Sequence, residues 1–454
     1  MSDTRDIIVR LLDNIGSKKE VEQYLRHYAS GDAPKFAVIK VSGSVVDASV
    51  ESLASSLSFL KAVGMAPIVV HGGGVQIERA VAAAGLSVPL VDGMLPMTPQ
   101  VLEIARPALL DVGGQIVDAL DSLGTRARPF TSGVLQVKAE LEGERGLVPV
   151  PVKTNHAALV AAARAGAIPV VSPFGETLGG QIAVVHADVV AREIALALRP
   201  HKVVFLSNRG GLVERSGAVI PAVNLAEDYE RVLAERDLDP ASRHELVILT
   251  ELLAQLPPTS SASVTSPEHL ARELFTYRGA GTLVRRGEQI RVHAGFEPID
   301  TPRLRGLLEE CFGRRLHVDY FALKEPLRVY LAESYRATAI VTREGAVPYL
   351  DKFAVTPEAQ GEGIGGSLWR RLRADTPKLF WRSRAQNPVN TWYAQQADGL
   401  VKAKDFWIFW CGMDDFDEIR ACVERARAMK ATLKDGAPDT TSSPPVVAVP
   451  GAAS

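Results

Sequence analysis

Two short apolar runs, KFAVIKVSG and APIVVHGGG, flank the amphipathic segment SVESLASSLSFLKAVG, and together they form the most restrictive stretch of the chain. Each run has the length and β-branched content of a strand. The segment between them has apolar residues at helical spacing and closes on Gly64. Two strands joined through a helix lie parallel, and a parallel sheet needs helices on both faces. The pattern recurs in AIPVVSPFG (167–175) and HKVVFLSNRGG (201–211), with the helical segment ADVVAREIALALRP between them, so the fold class is α/β with a mostly parallel sheet. Ligands of such sheets sit beyond the strand C-termini, where His71-Gly72-Gly73-Gly74 falls. That glycine run has two readings: a tight turn into a helix, or a loop whose amides bind phosphate.

With 454 residues, 46% of them hydrophobic, the chain supports two or three cores. Residues 1–30 read as two amphipathic helices and 31–295 as the first domain. The turn-rich HAGFEPIDTPRL marks a boundary near 295, a second domain runs over 296–435, and the Pro, Ser, Thr and Ala bias of 436–454 reads as a disordered tail. A formal net charge of −2 offers no global field for nucleic acid or anionic membrane. No apolar run approaches the roughly 20 residues of a membrane span. Nothing at the N-terminus resembles a signal peptide, and Cys311, Cys411 and Cys422 lack metal-ligand spacing. These features place the chain in the cytoplasm, with reduced core thiols and no metal site.

FAVIKVSGS followed by PIVVHGGG resembles the amino acid kinase family, and EHLARELFT with GAGTLVRRGE narrows this to the acetylglutamate kinase branch, over residues 35–290. The resemblance implies that Lys40 supports a transferred phosphoryl group, that Gly72, Gly73 and Gly74 contact substrate and phosphate oxygens, and that Asp188 is a retained site residue. Other positions depart from the family. Where it reads Asn-Gly-Leu-Arg-x-Thr, this chain has Met94, Leu95 and Pro96, which cannot clamp a carboxylate. Val184 and His186 replace two asparagines, with His186 read as a packing replacement. ASRHELVI stands where the family has a phosphate-facing lysine, and Asn208 stands where it usually has aspartate. The expectation is a kinase fold with negligible kinase activity, with ATP and magnesium doubtful as ligands. In arginine-sensitive members of the branch, an N-terminal helix and the helix before a Gly-x-Gly-Thr turn form an arginine pocket. Glu273 and Gly281 occupy matching positions, although Glu273 also reads as an ordinary exposed helix residue. The resemblance implies an L-arginine effector and a homo-oligomer built through the kinase-like domain and the N-terminal helices.

In the second domain, a strand over Tyr349–Val355 precedes Gln360-Gly361-Glu362-Gly363-Ile364-Gly365-Gly366, which opens a helix. This resembles the coenzyme A signature of the GNAT acetyltransferases. It implies that Gln360, Gly361, Gly363, Gly365 and Gly366 hold the pyrophosphate of acetyl-CoA while Phe353 to Val355 pair with its pantetheine arm. LFWRSRAQNPVNTWYAQQADG, with LDKFAV, resembles the kinase-fused N-acetylglutamate synthase family over residues 300–428. By that resemblance Lys352, Arg382 and Arg384 bind the carboxylates of L-glutamate, and Asn387 and Tyr393 lie at the reacting centre. A dicarboxylate suits guanidinium forks, a polar group such as Asn387 can hold the water that deprotonates the amine, and a tyrosine can protonate the departing thiolate. The bland alternative makes the aromatics core residues and the arginines a solvated strand face. TREGAVPYLDKF is shorter than the resemblance implies, which predicts a trimmed strand pair. The function expected is glutamate N-acetyltransfer in arginine biosynthesis. The rivals are a bifunctional synthase and kinase, and a silent arginine-sensing subunit.

Overall fold

The computed structural model describes residues 36–434 apart from 90, 92–94, 143–145, 201, 236, 258–259, 276–279, 358 and 360–362. The proposed N-terminal helices, the tail, Met94, Gln360 and Gly361 lie outside the described residues. The chain divides into two units at Arg286/Gly287.

The first unit contains β1 (Phe36–Val41), β2 (Ala66–His71), β3 (Ala127–Phe130), β4 (Leu135–Glu142), β5 (Gly146–Thr154), β6 (Ile168–Val171), β7 (Phe174–Glu176), β8 (Ile182–Val184), β9 (Lys202–Leu206), β10 (Ala222–Asn224), β11 (Ser261–Thr265) and β12 (Gly281–Arg285). One sheet runs β10-β12-β11-β9-β1-β2-β6-β3. Its pairings are parallel except β11 with β12. Both faces are covered, and β1 shows how. Val38 packs with Val190, Ile194 and Leu249 on one side. Ala37, Ile39 and Val41 pack with Leu53, Leu57 and Ile116 on the other. The helix Gly43–Ala62 joins β1 to β2 and gives way at Val63 and left-handed Gly64.

A second sheet, β5-β4-β7-β8, is absent from the sequence reading. The reason is chemical: β5 reads GLVPVPVKT, and proline cannot donate to a central ladder. β5 is an edge strand, where Pro149 and Pro151 face Ala139 and Val137 of β4 on its paired side.

The second unit contains β13 (Ile290–His293), β14 (Pro326–Ala332), β15 (Ala337–Arg343), β16 (Pro348–Val355), β17 (Leu379–Arg384), β18 (Gly399–Lys402) and β19 (Phe406–Cys411), ordered β13-β14-β15-β16-β17-β19-β18. β13 pairs with β14, so this sheet begins ahead of the expected boundary near 295. Four residues, two of them exposed, give too weak a periodic signal to show it. The helix Ile364–Asp375 contributes Leu368 and Trp369 to the core on one face. The helix Thr301–Phe312 contributes Leu304 and Leu308 to a core on the other. The strand pair expected to be trimmed is registered from Arg343↔Pro348 to Ala337↔Val355. Among the described residues no helix is long and apolar enough to cross a membrane.

Candidate functional site

β16 and β17 are neighbours in parallel, yet they register at one position, Tyr349 opposite Phe380. Beyond it, Lys352 and Phe353 stay paired with β15, facing Ile340 and Ala339. On that ladder Val341 faces Leu350 and Ile340 faces Lys352, leaving Asp351 as the extra residue of a bulge. A bulge bends its strand and re-aims side chains, and here it lies at the parting of the strands.

Lys352 and Arg382 flank the gap on β16 and β17. The Lys352 ammonium is buried and meets Asp351 Oδ2 at 2.5 Å and Thr432 Oγ1 at 2.7 Å. Arg382 donates to the carbonyls of Ala426 (2.6 Å) and Lys430 (3.2 Å), with its guanidinium 4.5 Å from the Phe406 ring centroid. Both cations therefore reach one short segment, 426–432. Burial pushes the Lys352 pKa below the ordinary lysine range against the pull of Asp351, with Lys324 and Arg382 adding to the fall. Burial would raise Asp351, but Lys352 and Lys324 with their hydrogen bonds hold it below the usual carboxylate range. The Tyr320 hydroxyl also donates to Asp351 Oδ2 at 2.7 Å. Asp351, Tyr320 and Thr432 were missed from sequence: Asp351 adjoins a predicted residue, but only the bulge shows that it turns with Lys352.

Arg384 is exposed at the end of β17. Asn387 is half-buried in the following turn, where its Oδ1 accepts from Val389 N (3.2 Å) and its backbone N–H donates to Arg384 O (2.9 Å). Tyr393 lies on the helix Asn390–Gln396 within 5.4–5.5 Å of the Trp381, Trp392 and Phe409 rings. Its hydroxyl has no hydrogen-bond partner among the described residues, and burial raises its pKa well above the ordinary phenol value. Trp381 Nε1, Ser383 Oγ and Asn390 Oδ1 are buried without partners among the described residues. Three buried unsatisfied polar groups near one aromatic cluster are costly unless something fills the space beside them.

The described end of the loop after β16 opens onto a helix N-terminus. Gly363 sits at φ 84°, in the left-handed region, and caps the helix Ile364–Asp375 without a side-chain hydrogen bond. Gly365 and Gly366 keep side chains out of the first turn, so its amides are available to a pyrophosphate. Phe353 and Val355 lead into this loop from the parted strand.

In the first unit Lys40 is buried and already matched. Its ammonium is 2.8 Å from Asp188 Oδ1 and 3.6 Å from Glu245 Oε1. Burial opposes the charge, yet Asp188 and Glu245 raise the Lys40 pKa above its ordinary value. Glu245 comes from ASRHELVI, the stretch that replaces the expected lysine turn. That stretch opens the helix Pro240–Gln255, capped by Asp239. A carboxylate thus faces Lys40 where the family resemblance puts a cation, and Arg209 holds it at 2.6 Å. Of the glycine run, Gly73 has a packing reason: a Cβ there would lie 2.6 Å from Leu109 Cδ2, whereas one on Gly74 would meet nothing within 4 Å. Gly72 N donates to Val41 O, tying the turn to β1. His186, read as a packing residue, has a side chain 44% exposed, and its ring lies edge-on to His244 at 5.3 Å.

Glu273 is not an exposed helix residue. Its Oε1 receives Lys202 Nζ (3.0 Å) and Ser263 Oγ (2.5 Å), and its Oε2 receives Ala280 N (2.9 Å), with 1% of the residue exposed. The carboxylate is committed to the fold. Gly281, at φ 151°, has Val264 O only 2.3 Å from where a Cβ would sit, which explains the glycine.

The model of the amino acid kinase family matches residues 35–244, and that of NAT, the N-acetyltransferase of N-acetylglutamate synthase, matches residues 288–429. A Xanthomonas campestris protein named acetylglutamate kinase is 41% identical over 92% of this chain and all of its own length. Human mitochondrial N-acetylglutamate synthase is 33% identical over 92% of this chain and 77% of its own. Among solved structures, N-acetylglutamate synthase from Neisseria gonorrhoeae, complexed with coenzyme A and N-acetyl-glutamate, matches 87% of this chain and 98% of its own. Its TM-score is 0.63 at 19% identity, a likeness of fold.

Proposed function

The chain belongs to the family in which an amino acid kinase domain is joined to the N-acetyltransferase domain of N-acetylglutamate synthase, and we propose that it transfers acetyl from acetyl-CoA to the α-amine of L-glutamate. The observation that carries this reading is the parting of β16 and β17, with Lys352 and Arg382 on its flanks and Tyr393 in the aromatic cluster beside it.

The two carboxylates of glutamate exchange for the oxygens that now occupy Lys352 and Arg382, with Arg384 at the rim. Guanidinium forks hold carboxylates in fixed orientation, which brings the amine to the thioester carbon. The amine passes its proton through a water held at Asn387 to bulk solvent, its nitrogen bonds the acetyl carbon, and the carbon–sulfur bond breaks. The departing thiolate takes a proton, and Tyr393 supplies it: burial favours the neutral phenol, so the group enters the step protonated. Direct transfer needs no covalent enzyme intermediate.

The first unit, up to Arg286, takes a regulatory and assembling role: it responds to L-arginine and builds a homo-oligomer with the N-terminal residues, in the cytoplasm. The second reading, residual acetylglutamate kinase activity, is favoured by the name of the 41% identical relative. Glu245 argues against it, because a carboxylate beside Lys40 repels the charge that phosphoryl transfer concentrates. The deciding measurement is coenzyme A release from acetyl-CoA by the purified chain, with and without glutamate and with and without arginine. Glutamate-dependent release supports the transferase. Release indifferent to glutamate, or ATP-dependent phosphorylation of N-acetylglutamate at a comparable rate, overturns the reading.

A further inference from the structure

His186, Asp188 and His244 offer one donor atom each, and the three atoms lie within 4.8 Å of one another. His186 Nδ1 is 3.6 Å and His244 Nε2 is 4.0 Å from Asp188 Oδ2. Bonds of about 2.0–2.2 Å in a tetrahedral site put neighbouring donors roughly 3.3 Å apart, so a small rotation of each ring closes the set. The side chains of the two histidines are 44% and 47% exposed while Asp188 is buried, and the ion takes over His186 Nδ1 from the long 3.4 Å hydrogen bond it accepts from Asp188 N. We propose that these three residues bind a single divalent transition-metal ion beside Lys40.

The donor chemistry selects the class of ion. Two imidazoles and one carboxylate suit Zn²⁺, Co²⁺, Ni²⁺ or Cu²⁺, whereas Mg²⁺ prefers an all-oxygen octahedron. His186 is the cap of the helix Ala187–Leu198, and His244 lies in the opening turns of the helix Pro240–Gln255. An ion bound by both ties those helices together beside Lys40. The exposed rings leave its remaining position to water. Lys40, 2.8 Å from Asp188 Oδ1, occupies the other carboxylate oxygen and disfavours a second ion.

The test titrates Co²⁺ alone into the chelator-treated full-length protein and follows visible ligand-field absorption. Saturation at one equivalent is expected, with Zn²⁺ erasing the bands and excess Mg²⁺ leaving them intact. His186→Ala and His244→Ala each weaken binding at least about tenfold. Both side chains are just under half exposed, and a circular dichroism spectrum matching the parent confirms that each variant is folded. Absence of saturable bands, or bands that survive both replacements, overturns the proposal.

Discussion

Burial raises the Tyr393 pKa and no hydrogen bond to its hydroxyl is made among the described residues, so its neutral form is the stable one. Burial also makes the phenolate costly, so donation to a leaving thiolate is coupled to recovery of the proton from solvent. Tyr393→Phe keeps the ring packing against Trp381 and Phe409 and removes only the oxygen. It lowers kcat for coenzyme A release by about 10²–10⁴-fold with little change in KM for glutamate. An unchanged kcat would make the residue a core aromatic. Glu273 illustrates the opposite assignment. Its carboxylate is the partner of buried Lys202, so Glu273→Ala strands a charge and costs about 3–5 kcal/mol of stability, read as a lower urea midpoint. A midpoint that does not move would return Glu273 to the list of effector ligands.

At the level of elements, the sequence was most informative where one signal sufficed. β1, β2 and β9 are buried on both faces and carry the matching apolar runs, and the strand-loop-helix around Gly363 announces itself by glycine spacing. Features set by a partner strand were invisible. The bulge at Asp351 exists only as a mismatch between β15 and β16, and the single registered pair of β16 with β17 has no local signature. β5 was hidden by its prolines, and β13 by its brevity. Glu245 could have been suspected from its charge, but its position beside Lys40 depends on the Asp239 cap that starts its helix. The β11–β12 pair carries the clearest element-scale prediction. Gly281 combines a left-handed φ with backbone contact from Val264 O and Gly210 O, so neither relief by rotation nor by a flexible neighbour is available. Gly281→Ala costs about 1–3 kcal/mol through the backbone conformation alone, with the clash added, and lowers the melting temperature of the first unit. Full retention of that temperature would mean that the strand pair adjusts more readily than the contacts imply.

Each unit of the whole molecule has its own apolar core, and acid acts on the two differently. In the first unit His71 is fully buried, with Nε2 against Ser172 Oγ at 3.0 Å, and burial lowers its pKa to about 4. The unfolded chain takes up that proton near the ordinary histidine value of 6.5, so between the two values it binds more protons than the folded chain, and stability falls with pH there. A gap of that size amounts to about 3 kcal/mol, absent above pH 6.5 and fully expressed only below pH 4. In the second unit Asp351 is held ionised, so its contribution remains until pH falls below the ordinary carboxylate range. Glu245, raised chiefly by burial, opposes the His71 slope in the first unit, and the effect of His71 is therefore read as a difference between two proteins. Calorimetry on the full chain and on His71→Gln, stepped from pH 7 to pH 4.5, should show the first unit's transition falling further in the parent than in the variant, with the second unit's transition moving alike in both. Parallel shifts of the first transition in the two proteins would mean that His71 is protonated within the fold, and that its contact with Ser172 holds a charged ring.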